Sequence, residues 1–238
     1  MSAWLGRVVL IFFVLVGLPP PPMGLHGLFF LCNFARTITI FDAMTEKEKM
    51  LAGLPYSAVD AQLLKELNEC KDVIHRYNGL LPSMMAERTS LLKELLGHVG
   101  DDGILINQPF YCDYGKHISV GKRFFANFNF TVLDEARVTI GDDCFVGPNV
   151  SIYTACHSTD PVERNTRREW ALPVTIGNNV WIGGSVTILA GVTIGDNVTI
   201  GAGSVVTKDI PSNVVAVGNP CRAIKSIPLG TQGRGDAD

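Results

Sequence analysis

A period of six constrains this chain more than any other feature. From Ile176 to Val206 aliphatic residues recur without a slip, at Ile176, Ile182, Ile188, Ile194, Ile200 and Val206. Four residues after each come Val180, Val186, Val192, Val198, Ser204 and Ile210. The register reappears upstream at Ile140, Val146 and Ile152, and Val120, Ala126 and Val132 form an earlier set offset by a two-residue insertion. Such a period fits neither an amphipathic helix, which repeats every ~3.6 residues, nor a strand that alternates at every second residue. It fits a coil of very short strands joined by tight turns, each strand placing one aliphatic side chain inside. Stacked coils pair their backbones along the axis and bury an aliphatic ladder, so the repeat is itself the fold. Glycine follows the leading aliphatic at Gly177, Gly183, Gly195 and Gly201, where a turn at positive φ is expected to require it. Asn178-Asn179 and Asp196-Asn197 supply polar corners.

The chain has 238 residues, 47% apolar and 18% charged, which fits a globular protein with one core and appendages. A net charge of -3 without a dense Lys/Arg run argues against nucleic acid as a partner. Scattered basic residues still suit a small anionic ligand. Cys32, Cys70, Cys112, Cys144, Cys156 and Cys221 show no C-x-x-C pair, the pattern of free thiols in a reducing compartment.

Residues 1–43 differ from the rest. Val8 to Leu18 is a continuous apolar run closed by Pro19 to Pro22, and Gly27 to Cys32 is a second. The first run is short of the ~20 residues of a membrane span and has the length of a signal h-region. Three readings stand: a cleaved signal, a membrane anchor, or an extension upstream of a start at Met44, where MTEKEKMLAG has the character of a cytosolic N-terminus. Residues 44–99 read as helical. Leu63, Leu64, Leu67, Val73, Ile74 and Tyr77 recur at helical spacings; Asn78-Gly79 and Pro82 then punctuate the chain. Leu91, Leu92, Leu95 and Leu96 form a second stripe that Gly97 and Gly100 close, and Ser83 with Glu87 is a weak start signal one residue off a capping box. These helices are expected to brace the repeat domain, residues 100–227, which a polar tail, 228–238, follows.

The stretches YCDYG (111–115), FFANFN (124–129), HSTDPVERN (157–165), IGNNVWIGG (176–184), IGAGSVVTKDIP (200–211) and GNPCRAI (218–224) resemble the maltose/galactoside acetyltransferase branch of the hexapeptide acyltransferases. The resemblance runs from about Met44 to Ile227. It implies a mainly β protein, a left-handed parallel β-helix with an N-terminal helical segment. The hand comes from the family, because the usual crossover rule favours the opposite one. The resemblance also implies a homotrimer with active sites between subunits, acetyl-CoA as co-substrate, and a sugar of glucose, maltose or galactoside type as acceptor. Acetyl-CoA is an intracellular donor, which favours the cytoplasm unless residues 1–43 anchor the chain to a membrane.

A sugar hydroxyl is a poor nucleophile at neutral pH and needs a base within hydrogen-bond reach. His157 is the candidate, in the segment Tyr153 to Pro173 where the register is interrupted. Ser158 stands where the family commonly has proline. By the same resemblance Asn127 is the asparagine of the acceptor site, able to bind the sugar and the oxyanion region. Asp134 and Glu135 occupy the position of sugar-contacting acids, with either carboxylate open as the contact, and Asp113 and Tyr114 are further acceptor-site candidates. Asp60 reads equally as a family acid and as a helix cap. For acetyl-CoA the resemblance points to Trp181 beside the pantetheine arm, to the small residues Gly183, Gly184, Ala202 and Gly203, and to Thr207, Lys208, Arg222 and Lys225 at the nucleotide end. Zinc chemistry on this fold needs three histidine ligands, and only His117 and His157 lie in the repeat region, so no metal is expected. The alternatives are an oligosaccharide or amino-sugar acceptor, and a non-catalytic trimeric scaffold.

Overall fold

The structure, a computed structural model, describes residues 43–228. The apolar N-terminal segment and most of the polar tail, with the signal, anchor and extension readings attached to the former, lie outside the described residues. Every element below belongs to the unit that begins at Glu46.

Short parallel strands stack into three faces of a β-helix. The first face is built from strands at His98–Val99, Ile118–Val120, Val138–Ile140, Val174–Ile176 and Thr193–Ile194. The second carries Ile104–Ile106, Phe124–Ala126, Phe145–Val146, Trp181–Ile182, Thr199–Ile200 and Val214–Val217, closed by the antiparallel strand Arg222–Ser226. The third carries Phe110–Cys112, Phe130–Leu133, Ser151–Tyr153, Thr187–Ile188 and Val205–Val206. The coil is left-handed, as in the hexapeptide acyltransferases.

The six-residue ladder is the core. On the first face Val120, Ile140, Ile176 and Ile194 stack in register. Ile152, Ile188 and Val206 do so on the third, and Val146, Ile182, Ile200 and Ala216 on the second. The positions four residues on are buried too, from Val180 to Val198. Ser204, the one polar member, is fully buried; its hydroxyl donates to the Gly201 carbonyl at 2.6 Å and accepts from the Gly218 N–H at 3.0 Å.

The repeat glycines serve a different purpose from the one expected. Gly177, Gly183 and Gly195 are not at positive φ. A Cβ at these positions would lie 2.8, 2.6 and 2.6 Å from the backbone nitrogens of Asp196, Ala202 and Ser212 in the next coil. Glycine is needed there because adjacent coils stack too closely for any side chain. The left-handed residues fall two positions later, at Asn179, Ser185 and Asn197, with φ of 55°, 57° and 55°. Asparagine tolerates that region and binds along the edge: Asn179 Nδ2 donates to Asn197 Oδ1 at 3.1 Å, and Asn197 Nδ2 to Asn213 Oδ1 at 2.8 Å.

Helices close the lower end of the coil. Helix α1 spans Glu46–Leu51, α2 Ala61–Gly79 and α3 Met85–Leu95. Asp60 caps α2, its Oδ1 accepting from the Gln62 and Leu63 N–H groups at 2.9 and 3.1 Å. Cys70, Ile74 and Tyr77 of α2 and Leu91, Leu92, Leu95 and Leu96 at α3 merge with the core of the coils, which would otherwise end in open apolar surface. The Tyr77 hydroxyl donates to the Ile106 carbonyl at 2.5 Å, pinning α2 to the second face. Leu64, expected in the apolar stripe, is exposed. Ser83 makes no cap, and α3 begins without a side-chain bond to its first turn. Gly97 and Gly100 again allow close stacking, on Lys116 and Gly121.

Candidate active site

One corner of the prism departs from the repeat on three successive coils. Between the third face and the first, the inward positions Cys112 and Val120 are eight residues apart rather than six, as are Val132 and Ile140. On the next coil the same corner holds the whole excursion between Tyr153 and Val174. Asp113 and Tyr114 occupy the lowest bulge, Asp134 and Glu135 the middle one, and His157 the excursion. The chain thus brings five of the candidate residues to one corner.

The excursion folds back as a pair of strands, Ala155–His157 antiparallel to Arg168–Ala171, linked by the short helix α4, Pro161–Arg164. His157 sits opposite Glu169, with Nε2 at 3.4 Å from Glu169 Oε2, and its side chain is 57% exposed against 13% for Glu169. The second oxygen, Glu169 Oε1, accepts from the Tyr56 hydroxyl at 2.5 Å. Tyr56 is fully buried on the two-residue strand Tyr56–Ser57, which pairs antiparallel with Arg168–Ala171. Burial and the neighbouring Glu169 push the Tyr56 phenol far above its ordinary range, so it stays a donor. Tyr56 and Glu169 escaped the sequence reading, because the contact joins residues 113 apart. Pairing of an isolated tyrosine with the excursion leaves no trace in spacing.

Ser158, in the place of a proline, is buried and held by three bonds. Its hydroxyl donates to Glu163 Oε2 at 2.5 Å and accepts from the Asp160 N–H at 3.1 Å; its carbonyl accepts from Arg164 Nη1 at 3.0 Å. Asp160 caps α4, its Oδ1 accepting from the Val162 N–H at 2.9 Å. The loop after His157 is therefore fixed by hydrogen bonds rather than by a ring.

The two acids of the middle bulge separate by environment. Asp134 is fully buried, and its Oδ1 accepts from the Asp113 and Tyr114 N–H groups, both at 2.9 Å. Burial raises its carboxyl to about 6. Its backbone carbonyl lies 2.6 Å from His117 Nδ1, and the His117 ring packs on Tyr114 at 5.1 Å. Asp134 thus holds the lower bulge in shape. Glu135 is half-buried, 3.3 Å from the Thr154 hydroxyl. Burial first, then the nearby Asp113, push its carboxyl well above the usual range. Of the pair, Glu135 is the carboxyl available to a ligand. Tyr114 is buried, and Asp113 is half-buried.

The remaining candidates fall elsewhere. Asn127 follows the strand Phe124–Ala126 at the corner between second and third faces, half-buried, with Oδ1 accepting from the Phe128 N–H at 2.8 Å. In one protomer it lies on a different edge from His157. Gly183, Gly184, Ala202 and Gly203 lie on that same edge in higher coils. Gly183 is explained by coil stacking, whereas Ala202 is exposed and a Cβ on Gly203 would meet nothing within 4 Å. Arg222 and Lys225 lie exposed on the closing strand opposite Val217 and Val215. Thr207 and Lys208 follow the last strand of the third face, on the His157 edge. Trp181 is 59% exposed on the second face, in register with Phe145. Asp60 is committed to capping α2. Among the described residues no cluster of three or more His, Cys, Asp and Glu is placed to hold a metal ion, and no helix is long and apolar enough to cross a membrane.

A hexapeptide coil closed by a helical cap places the chain in the class of hexapeptide-repeat acyltransferases. The family described as the maltose acetyltransferase hexapeptide capping motif matches residues 49–100, bacterial transferase hexapeptides match 173–208, and the hexapeptide repeat of succinyl-transferase matches 137–155. The chain is 43% identical to galactoside O-acetyltransferase of Escherichia coli (strain K12) over 184 residues, covering 77% of this chain and 90% of that one. A maltose O-acetyltransferase from Clostridium difficile 630 superposes with a TM-score of 0.77 at 53% identity, over 78% of this chain and 99% of the other. A galactoside acetyltransferase in complex with coenzyme A gives 0.75 at 43% identity, over 78% and 92%. The chain belongs to the maltose/galactoside O-acetyltransferase branch of these enzymes and is an acetyltransferase of that type.

Proposed function

We propose that the chain transfers acetyl from acetyl-CoA to a hydroxyl of a sugar, with His157 as general base. The observation that carries this reading is the His157–Glu169–Tyr56 arrangement at the bulged corner. Glu169 holds the ring and stabilises the imidazolium, while the ring nitrogen turned away from it accepts the hydroxyl proton. The sugar oxygen attacks the thioester carbonyl, the carbon–sulfur bond breaks, and the imidazolium returns its proton to the departing thiolate. Transfer is direct. Cys112, Cys144 and Cys221 are buried, and burial or a neighbouring thiol raises each of them and Cys156, so none is activated to carry the acetyl group. Glu135 and Asp113 are the polar contacts for the acceptor beside the base.

Two half-sites on different edges support assembly as a trimer. The His157 edge carries the base and the acids. The other edge carries Asn127, the open backbone at Ala202 and Gly203, and Arg222. The second face, which ends at the Asn127 edge, has an outward aromatic row, Phe125, Phe145 and Trp181 in register, with the Phe125 and Phe145 rings 6.3 Å apart. Outward positions on the first face are Ser119, Thr139, Thr175 and Thr193. The aromatic face is the one a second copy would cover, setting one subunit's Asn127 edge against the next subunit's His157 edge. Acetyl-CoA would lie along that seam, its phosphates toward Lys208, Arg222 and Lys225.

The test follows thiol release from acetyl-CoA with a panel of glucose, maltose and galactosides. Release with at least one sugar, lost by ~10²-fold or more in His157→Ala, is the expected result. Undiminished release in that variant removes the mechanism, and no release with any hydroxyl acceptor favours a non-catalytic scaffold.

A further inference from the structure

The reaction above leaves a recess on the third face unused. A cavity of about 440 Å³ lies between α2 and the lowest coil, lined by Lys71, His75, Asn78, Tyr111, Asp113 and Leu133 among others. Small-molecule sites run from ~300 to 1,000 Å³. Tyr111 is the outward residue of the strand Phe110–Cys112 and is 48% exposed. Lys71 and His75 are exposed on the facing side of α2. The recess is preformed: Asn78 Nδ2 donates to the Phe110 carbonyl at 2.9 Å and its Oδ1 accepts from the Phe110 N–H at 3.0 Å, which locks α2 to the strand that carries Tyr111.

One wall leads directly to the acceptor corner. Asp113 lines the recess, its N–H is bound by Asp134, and its carboxyl faces Glu135. Leu133, also in the wall, immediately precedes Asp134. The recess and the corner therefore meet at the Asp113 carboxyl.

We propose that this recess is a second sugar subsite and that the acceptor is an oligosaccharide. Its reacting residue sits by His157, and the next one stacks its C–H face on the Tyr111 ring. An aromatic face beside mixed donors and acceptors, here His75, Lys71 and Asp113, is the chemistry that recognises a pyranose. A single pyranose occupies one position or the other, so only a longer acceptor gains from both.

This proposal rests on the acetyl-transfer reading, and the experiment separates the two. Initial rates of thiol release are measured for glucose and for α-linked and β-linked glucose di- and trisaccharides. In one series kcat/KM should exceed that of glucose by roughly three- to tenfold, the worth of one aromatic contact. Tyr111→Ala should collapse that ratio toward one, and Tyr111→Phe, which keeps the ring, should retain it. Equal kcat/KM across both series, or a chain-length gain untouched by Tyr111→Ala, overturns the subsite. Failure of glucose and every longer glucose oligomer to release thiol overturns the subsite, and failure of the galactosides as well removes the acetyl-transfer reading itself.

Discussion

Glu169 has two oxygens with two tasks. One receives the buried Tyr56 hydroxyl and the other faces His157. In Glu169→Gln the amide can keep the Tyr56 bond through its oxygen but presents no charge to an imidazolium. Thiol release should then fall at least tenfold in kcat, a share of the ~10²–10⁴ that general-base catalysis supplies, with KM for the sugar little changed. A KM effect alone would mean that Glu169 acts on binding. Glu135 lends itself to a different measurement. Its folded carboxyl is raised, so the folded state binds a proton more tightly than the unfolded chain does. That stabilising difference is complete at pH values below the ordinary carboxylate range and is lost as pH rises through neutrality. Glu135→Gln removes the buried charge. Its melting temperature relative to wild type should therefore rise between pH 5 and pH 8, while acetyl transfer weakens, as expected where a site holds strained charge. A pH-independent difference in melting temperature would mean that Glu135 titrates as an ordinary exposed acid.

At the scale of elements, close stacking of coils makes a sharp prediction at the repeat glycines. In Gly183→Ala the new methyl carbon would lie 2.6 Å from the Ala202 nitrogen and 2.9 Å from the Ile200 carbonyl oxygen, backbone atoms fixed by the ladder. A loss of about 1–3 kcal/mol in chemical denaturation is expected. Gly79→Ala, at the end of α2 where a Cβ meets nothing within 4 Å, should leave stability equal or improved. Equal effects of the two would undermine the stacking explanation. The sequence displays the ladder because each inward residue obeys one local rule six residues from the last. It displays the corner less directly: the eight-residue steps at Cys112–Val120 and Val132–Ile140 are visible, but their stacking beneath the excursion follows only once the coils are in register. The roles of Asp134 and Glu135 were not separable in sequence, since two adjacent carboxyls differ only in which one the lower bulge consumes. The part of Tyr56 was invisible, because a two-residue strand carries no period. Ser158 was legible as a departure from proline, but its bonds to Glu163, Asp160 and Arg164 were not.

For the whole molecule, the question is how residues on separate edges act together. A prism with identical neighbours can join its Asn127 edge to the His157 edge of the next copy, and no rearrangement within one protomer is required. The aromatic row at Phe125, Phe145 and Trp181 gives that contact an apolar core, whereas the threonine rows of the first face do not. This arrangement predicts complementation. His157→Ala and Asn127→Ala each disable every site of a uniform trimer. In trimers formed by refolding or co-expressing the two variants at equal amounts, a site regains both side chains whenever its His157 subunit and its Asn127 subunit are each of the intact kind for that residue. Random mixing gives about a quarter of sites with both. Thiol release by the mixture should recover to that order relative to wild type, while either variant alone stays inactive. If both residues serve the same site from one chain, mixing recovers nothing, because every chain lacks one of them. The readout depends on which chain supplies each group, and impaired folding of either variant would appear separately as loss of trimer.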